Sequence, residues 1–513
     1  MPAWLEPLPD AAAQRALDAW AIEQRGVPGL ELMEHAGAGL ARLVERVVSD
    51  GVVAIVCGKG NNGGDGLVAA RLLREAKREI DVQLLCSPHE LEGDARASLE
   101  RLPGAPPRPF MPGSMVDMGG IVDAVLGTGA SGAPRGAAAD AIGAMAAAAE
   151  LGVPVVACDI PSGVDASTGE IAGAVVRAVA TATFEAAKPG HWIAPGKACA
   201  GEVVVVPLGI PRDRPPLREP WLGLIDGTVL DALPRRGARS TKFDGGSVLV
   251  CGGSTGLTGA PSLAAAAAMR AGAGYVSVLV PASLNLVFEL AHAEAMSVPL
   301  PDDDGSLVEE AVAPALAQCE RAGALVLGPG VGRTPAAAAF ARGLARDAPV
   351  PLVLDADGLN AHAADADGAL DALARRTAPT VLTPHAGELG RLLGVPSADV
   401  EARRLASARE AARRAGAVVV LKGDDTLVLC PRDGDPLAVS RGDAPALATA
   451  GTGDVLAGVI GALLARGVEP FTAACAGVEL HRRAGRLVGE RVGVEGAIAS
   501  DVVAALPSAR RER

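Results

Sequence analysis

A chain of 513 residues, 49% of them hydrophobic and 21% charged, exceeds what one core usually serves and carries enough apolar material for two. A formal net charge of −13 with a pI near 5.2 argues against nucleic acid or an anionic membrane as partner, since either needs a basic stripe and none is present. Eight cysteines lack any Cys-x-x-Cys spacing, and Met1 to Trp20 shows no basic flank followed by an apolar core. A cytoplasmic protein without a secretory leader is expected. The longest apolar runs are Ala-rich and broken by Glu150, Arg270 or glycines, short of a membrane span.

In chain order, Val52 to Cys57 is a continuous apolar run, and Leu67 to Lys77 has helical spacing. Between them lies Gly58-Lys59-Gly60-Asn61-Asn62-Gly63-Gly64-Asp65-Gly66. It matches the dinucleotide fingerprint only formally, because the acidic residue expected about 20 positions on, Asp81, opens the next strand instead of ending it. Its amides and carboxylate suit a cation, a gripped substrate or a hydrogen-bonded turn. Similar runs recur at Ile121 to Leu126, Val153 to Cys158 and Val203 to Val206, alternating with Ala-rich helical stretches, which reads as a parallel sheet covered on both faces. Asp123 lies inside a strand, where a carboxylate needs a partner that a cation would supply. Polar residues gather where strands finish: Asn61, Asn62, Asp65, Thr128, Asp159 and Ser162.

Leu32-Met33-Glu34-His35-Ala36-Gly37, the loop Gly60 to Gly66, the Val122-Asp123 strand with Gly127-Thr128-Gly129, and Asp159-Ile160-Pro161-Ser162-Gly163 follow one another in an order that resembles the NAD(P)H-hydrate epimerase domain, over residues 10 to 211. The resemblance implies a Rossmann-like three-layer α/β/α fold. It also implies potassium on Asn62, Asp123 and Ser162, and a hydrated nicotinamide nucleotide held by Asn61, Asn62, Gly63, Gly64, Asp65, Gly127, Thr128, Gly129, Ala130, Ser131, Gly132, Ala133 and Asp159, with Asp159 catalytic. The aromatic residue often found after the Gly127 loop is missing from Pro134 to Asp140.

Between Pro207 and Gly246 the chain turns rich in Pro and Arg and the strand rhythm lapses, giving domains at 1–215 and 235–513 with a linker at 216–234. The rhythm resumes at Ser247 to Cys251, Tyr275 to Val280, Ala324 to Leu327, Leu352 to Leu354, Thr380 to Leu382 and Val418 to Leu421. Polar residues again stand at strand ends: Asp355, His385, Lys422 and Asp454. Open α/β sheets bind ligands at those ends, so each half is expected to have its own site. Thr383-Pro384-His385-Ala386-Gly387-Glu388 places a His at a strand end and a Glu at a helix start, and Lys422-Gly423-Asp424-Asp425-Thr426 turns one strand into the next, Leu427 to Cys430. Ala450-Gly451-Thr452-Gly453-Asp454 runs into the apolar helix Val455 to Ala465. Its backbone N–H groups and helix dipole make an anion cradle with a carboxylate beside it.

These motifs resemble the ADP-dependent NAD(P)H-hydrate dehydratase domain of the ribokinase-like superfamily, over residues 235 to 506. The resemblance implies ADP, with magnesium, on Lys422, Gly423, Asp424, Asp425, Thr426, Gly451, Thr452 and Gly453. It places the hydrated nucleotide on Ala260, Gly332, His385, Ala386, Gly387, Glu388, Leu389, Gly390, Arg391 and Asp454, with Asp454 catalytic. The family's His-Lys near the domain start is replaced by Thr241-Lys242. The function implied is repair of NADHX and NADPHX: epimerisation of the R and S forms, and dehydration of the S form with conversion of ADP to AMP and phosphate. A homo-oligomer is expected. A small-molecule kinase would use the same Gly-x-Gly-Asp helix, and a non-catalytic nucleotide sensor would keep the cradle. The Thr383-Pro384-His385 helix and the fused first half weigh against the kinase, and the retained Asp454, Asp123 and Asp159 against the sensor.

Overall fold

The computed structural model describes residues 2–211, 222–363 and 368–512, which divide into two compact units, Pro7–Leu222 and Met1–Glu6 with Gly223–Arg513. The stretch expected as a linker, 216–234, lies partly outside the described residues. Its remainder is a strand, Leu222–Ile225, and a helical segment, Gly227–Ala232, with Val229 buried. The first residues also depart from the expected boundary. Trp4 and Leu5 are buried and Trp4 stacks on Phe471 at 5.9 Å, so the hydrophobic gain assigns them to the second unit.

In the first unit seven parallel strands form one sheet in the order Arg108–Pro109, Ile80–Leu84, Val53–Cys57, Gly120–Ala124, Val155–Cys158, Ala180–Phe184, Glu202–Val206. Every residue of Val53–Cys57 and Gly120–Ala124 is buried, as befits strands covered on both faces. The strand order reverses between these two, and the crevice beyond their carboxyl ends is where α/β sheets take ligands. The helix that follows begins at Asn61 and runs to Glu75, six residues earlier than the apolar spacing indicates. Its glycines permit close packing: a Cβ on Gly66 would lie 2.7 Å from Ala124 Cβ, and one on Gly63 would lie 2.0 Å from the Gly58 carbonyl oxygen.

The second unit has an eleven-stranded sheet. From Val418–Leu421 through Thr380–Leu382, Leu352–Leu354, Ala324–Leu327, Ser247–Cys251 and Tyr275–Pro281 to Met296–Leu300 it is parallel. Leu427–Leu429 and Leu437–Val439 add antiparallel strands, and Leu222–Ile225 and Leu5–Leu8 close that edge. Gly259–Ala271 and Thr452–Ala465 pack so tightly that a Cβ on Gly458 would meet the Ala264 carbonyl oxygen at 2.1 Å, which accounts for the alanine-rich sequence of the first. The strand order again reverses between Ser247–Cys251 and Ala324–Leu327, so this sheet also has a crevice at its carboxyl ends. No helix among the described residues is long and apolar enough to cross a membrane.

Candidate active sites

At the switch point of the first unit lies a cavity of about 760 Å³, lined by Asn61, Asn62, Asp65, Gly127, Thr128, Gly129, Ala130 and Asp159 among others. Asp159, the residue after Val155–Cys158, has left-handed backbone, φ 65°, and lines the cavity. There it accepts from Lys188 Nζ at 2.7 Å, from the Thr128 N–H at 3.1 Å, from the Thr128 hydroxyl, and from Thr183 Oγ1 at 3.3 Å. Lys188 is fully buried, and its ammonium also donates to Thr183 Oγ1 at 2.9 Å and the Phe184 carbonyl at 3.0 Å. Burial alone would raise the Asp159 pKa, but Lys188 and the Thr128 bonds outweigh it and hold the carboxyl down to about 2.

His191 completes the network, its Nδ1 accepting the Lys188 N–H at 2.9 Å while Nε2 meets the Asp159 carbonyl at 2.9 Å. Burial and the adjacent Lys188 lower it to about 4, so it is a neutral ring carrying its proton on Nε2. Asp65, in the same cavity, goes the other way. Burial, then the charges of Asp159 and Asp18, raise its pKa well above the ordinary carboxylate range. The walls of one cavity thus favour the charged form of one carboxylate and the protonated form of another, the pattern of a base and an acid.

Behind the cavity Asp123 is wholly buried. It accepts from the Ser162 hydroxyl at 2.6 Å, the Ser162 N–H at 2.8 Å and the Val125 N–H at 3.3 Å, and burial pushes it up to about 6. Both amide atoms of Asn62 are buried without a hydrogen-bond partner, although such groups are costly to leave unmade. Asn62 lies against Gly127, where a Cβ would come within 3.0 Å of Asn62 Oδ1. Of the remaining positions indicated by the sequence, Gly63 packs against Gly58 and Gly64 against Met33, while Ser131, Gly132 and Ala133 are exposed beyond the cavity lining.

In the second unit, Gly451 takes φ 88° and starts the helix Thr452–Ala465, with Asp454 in its first turn. Lys422 ends the strand Val418–Leu421 and donates to Asp355 Oδ1 at 2.9 Å, with Glu388 Oε2 at 3.7 Å. A Cβ on Gly453 would lie 3.3 Å from Lys422 Nζ, so the ammonium borders the cradle. Burial works against the charge of Lys422, but Asp355 and Glu388 reverse it and the pKa rises. Asp454 is pushed up to about 7 by burial first and by the negative Asp355 second, with Lys422 opposing.

His385 caps the helix Ala386–Leu393, accepting the Gly387 N–H on Nδ1 at 3.0 Å, and Glu388 Oε2 accepts the His385 N–H at 2.9 Å. Arg391 Nε donates to Asn360 at 2.9 Å, and the Gly332 N–H to Asp357 at 3.2 Å. Ala260, at the start of Gly259–Ala271, lies against Gly330, whose Cβ would meet Ala260 Cβ at 3.4 Å.

A cavity of about 310 Å³ beside the cradle is lined by Lys422, Gly423, Asp424, Thr426, Thr452 and Gly453, with His481 at its wall. Asp425 is not among its lining residues. Its carboxylate accepts from Arg404 Nε at 2.9 Å, both side chains almost fully buried, so a structural ion pair occupies the group that the sequence assigns to ADP. Leu389 and Gly390 likewise pack inward, Leu389 with no exposure and Gly390 against Val395. Sequence reasoning passed over Lys188 and His191. Their signal was Lys188-Pro189-Gly190-His191 just after a strand, and a lone lysine beside Pro-Gly reads as a solvated turn.

Set against known proteins, residues 248–508 match the NAD(P)H-hydrate dehydratase family and residues 29–190 match the YjeF-related protein N-terminus. The chain is 37% identical to the bifunctional NAD(P)H-hydrate repair enzyme Nnr of Moorella thermoacetica, over 97% of this chain and 95% of that one. The chain belongs to the bifunctional NAD(P)H-hydrate repair enzyme family. The corresponding protein of Salinibacter ruber is also 37% identical, over 99% of this chain and 96% of that one. A crystal structure of the ADP/ATP-dependent NAD(P)H-hydrate dehydratase from Bacillus subtilis, co-crystallised with ATP and Mg²⁺, matches 55% of this repair-family chain and 95% of its own at 28% identity, with a TM-score of 0.46.

Proposed function

We propose that the first unit interconverts the R and S epimers of hydrated NADH and NADPH, and that the second dehydrates the S epimer, converting ADP to AMP and phosphate. Membership of the repair family over nearly the whole chain carries this reading. Each sheet has a cavity at carboxyl ends of its strands to support it, at the switch point in the first and beside Lys422, at the end of Val418–Leu421, in the second.

In the first unit the substrate carbon that bears the hydroxyl adjoins the ring nitrogen, whose lone pair helps the hydroxyl depart. Asp65, whose burial favours the protonated form, protonates the leaving oxygen. Water then returns to the opposite face of the planar cation and gives up its proton to Asp159, which Lys188 holds ionised. Asn61, Asn62, Thr128, Gly129 and Ala130 line the space around the ring. Asn62, Asp123 and Ser162 fit potassium, because the orphaned Asn62 amide and the buried Asp123 carboxylate both lack a cation partner. Bound there, the ion would balance the charge of Asp123 and brace the Gly127 loop.

In the second unit the N-terminus of Thr452–Ala465 and Lys422 hold the phosphates of ADP, with Gly423, Asp424 and Thr426 lining the cavity beside them. Magnesium bound with ADP would neutralise phosphate charge. Asp454 accepts the proton of the substrate hydroxyl as it takes the phosphoryl group. Phosphate then leaves where hydroxide could not, and the neighbouring ring carbon gives up a proton to water as the double bond re-forms. The test is incubation of a mixed-epimer hydrate of NADH with ADP. Complete recovery of reduced-nicotinamide absorbance supports the reading, and none, or recovery without nucleotide, refutes it.

A further inference from the structure

The cavity of the first unit has a polarity that its chemistry does not require. Asp18, Asp65, Asp94 and Asp159 lie in its walls, and all four are partly or wholly buried. Its exposed lining residues include three cations from three separate elements: Arg15 on the helix Ala11–Glu23, Lys59 on the loop after Val53–Cys57, and Arg135 on the loop before Ala137–Glu150.

Arginines and lysines elsewhere on this surface are commonly matched with carboxylates, as Arg71 is with Glu75 and Arg96 with Glu100. The side chains of Arg15, Lys59 and Arg135 have neither an ion pair nor a hydrogen bond among the described residues. In a chain of net charge −13, three unmatched cations meeting at one opening concentrate positive potential where the protein is otherwise negative.

A hydrated nicotinamide nucleotide has the complementary asymmetry. Its ring end is uncharged and reacts, while its far end carries a pyrophosphate and, in the phosphorylated form, a further 2′-phosphate. We infer that Arg15, Lys59 and Arg135 form a phosphate clamp that draws the charged tail to the rim, orients the ring toward Asp65 and Asp159, and favours hydrated NADPH over hydrated NADH. The inference rests on the epimerase reading of this cavity and names the substrate form that it prefers. Guanidinium and ammonium groups are the usual phosphate partners, and rim charges act on capture without altering the acid and base.

The test is the full-length triple variant Arg15→Gln, Lys59→Gln, Arg135→Gln, with the charge-retaining Arg15→Lys, Lys59→Arg, Arg135→Lys as its partner. Initial epimerisation rates are measured without ADP on both hydrates at low salt. Binding of 2′-phospho-ADP-ribose and of ADP-ribose is measured by calorimetry, the difference between wild type and variant isolating the rim.

The glutamine variant should raise KM for hydrated NADPH about tenfold, raise it less for hydrated NADH, leave kcat within about twofold, and weaken 2′-phospho-ADP-ribose more than ADP-ribose. The charge-retaining variant should restore most of the loss, and added salt should erase the preference of the wild type. Unchanged KM and unchanged probe affinity in the glutamine variant would overturn the clamp, as would equal losses for both hydrates overturn the preference. A wild type that binds the probe through these residues yet does not epimerise would refute the epimerase reading and leave the clamp standing.

Discussion

Asp454 occupies a position where its charged form is disfavoured, and this has a cost in stability as well as a use in chemistry. Its pKa moves from an ordinary 3.8 to about 7, chiefly through burial and then through Asp355. Between those values the folded chain keeps a proton that the unfolded chain has released, so stability falls as pH rises across that window and stays low above it. Asp454→Asn removes the penalty. It should melt later than wild type at pH 8, by up to about 4 kcal/mol, while dehydration stops. ADP affinity should stay within about tenfold, because the backbone cradle of Gly451 to Gly453 remains. A thermal melt and calorimetry check this; loss of ADP binding in a folded variant would move Asp454 from chemistry to anchoring. In the wild type, kcat/KM for dehydration should rise with pH through about 7. A flat profile from pH 6 to 8 would deny a proton-accepting role to this carboxylate.

The cation site of the first unit makes a second prediction at this scale. Asn62→Ala or Asp123→Ala should lower epimerisation and remove its potassium dependence, leaving ADP-dependent dehydration of the S epimer intact, because the affected residues all belong to the first unit. Wild-type epimerisation by both variants in potassium-free buffer would dismiss the assignment.

At the scale of elements, the two sheets share a device: the first strand before the switch point ends in a glycine that lies against the backbone of the strand paired with it. A Cβ on Gly58 would stand 2.2 Å from the Val125 carbonyl oxygen, and one on Gly252 would stand 2.0 Å from that of Pro329. Gly58→Ala should therefore destabilise the first unit by about 1–3 kcal/mol and impair epimerisation. Gly60→Ala, two residues on, should do neither, since its φ is −91° and nothing lies within 4 Å. Equal melting temperatures for the two variants would contradict the packing argument.

The strands flanking the switch points were legible because they are short continuous apolar runs, and their polar termini stood out against them. Ala180–Phe184 was not legible, for Ala-Thr-Ala-Thr-Phe carries no such run. It is buried all the same because Thr181 bonds the Ala200 carbonyl and Thr183 bonds Asp159. The helix start at Asn61 was hidden by glycines, which signal a loop in sequence and close packing in space. Lys188 and Asp425 show the same limit from opposite sides. Which of two hydrophilic residues near a strand end faces a cavity depends on a partner far away in the chain, Asp159 for one and Arg404 for the other.

For the molecule as a whole, the first residues contribute to the second unit. Trp4→Ala should lower the stability of that unit by about 3 kcal/mol or more, through loss of the stacked, buried ring, with epimerisation unchanged. Differential scanning calorimetry with an epimerisation assay would show it, and an unaltered melt would return Trp4 to the surface. The larger claim is that two complete sites sit in two units and that the epimer passes between them as a free intermediate. The most direct measurement is complementation in trans between full-length Asp159→Asn and full-length Asp454→Asn, on a mixed-epimer hydrate of NADH with ADP. Asp159→Asn alone should convert the S fraction rapidly and then slow to the spontaneous rate, Asp454→Asn alone should form no NADH, and the mixture should run to completion at a rate set by added Asp454→Asn. A mixture whose slow phase is no faster than that of Asp159→Asn alone would contradict the division of labour.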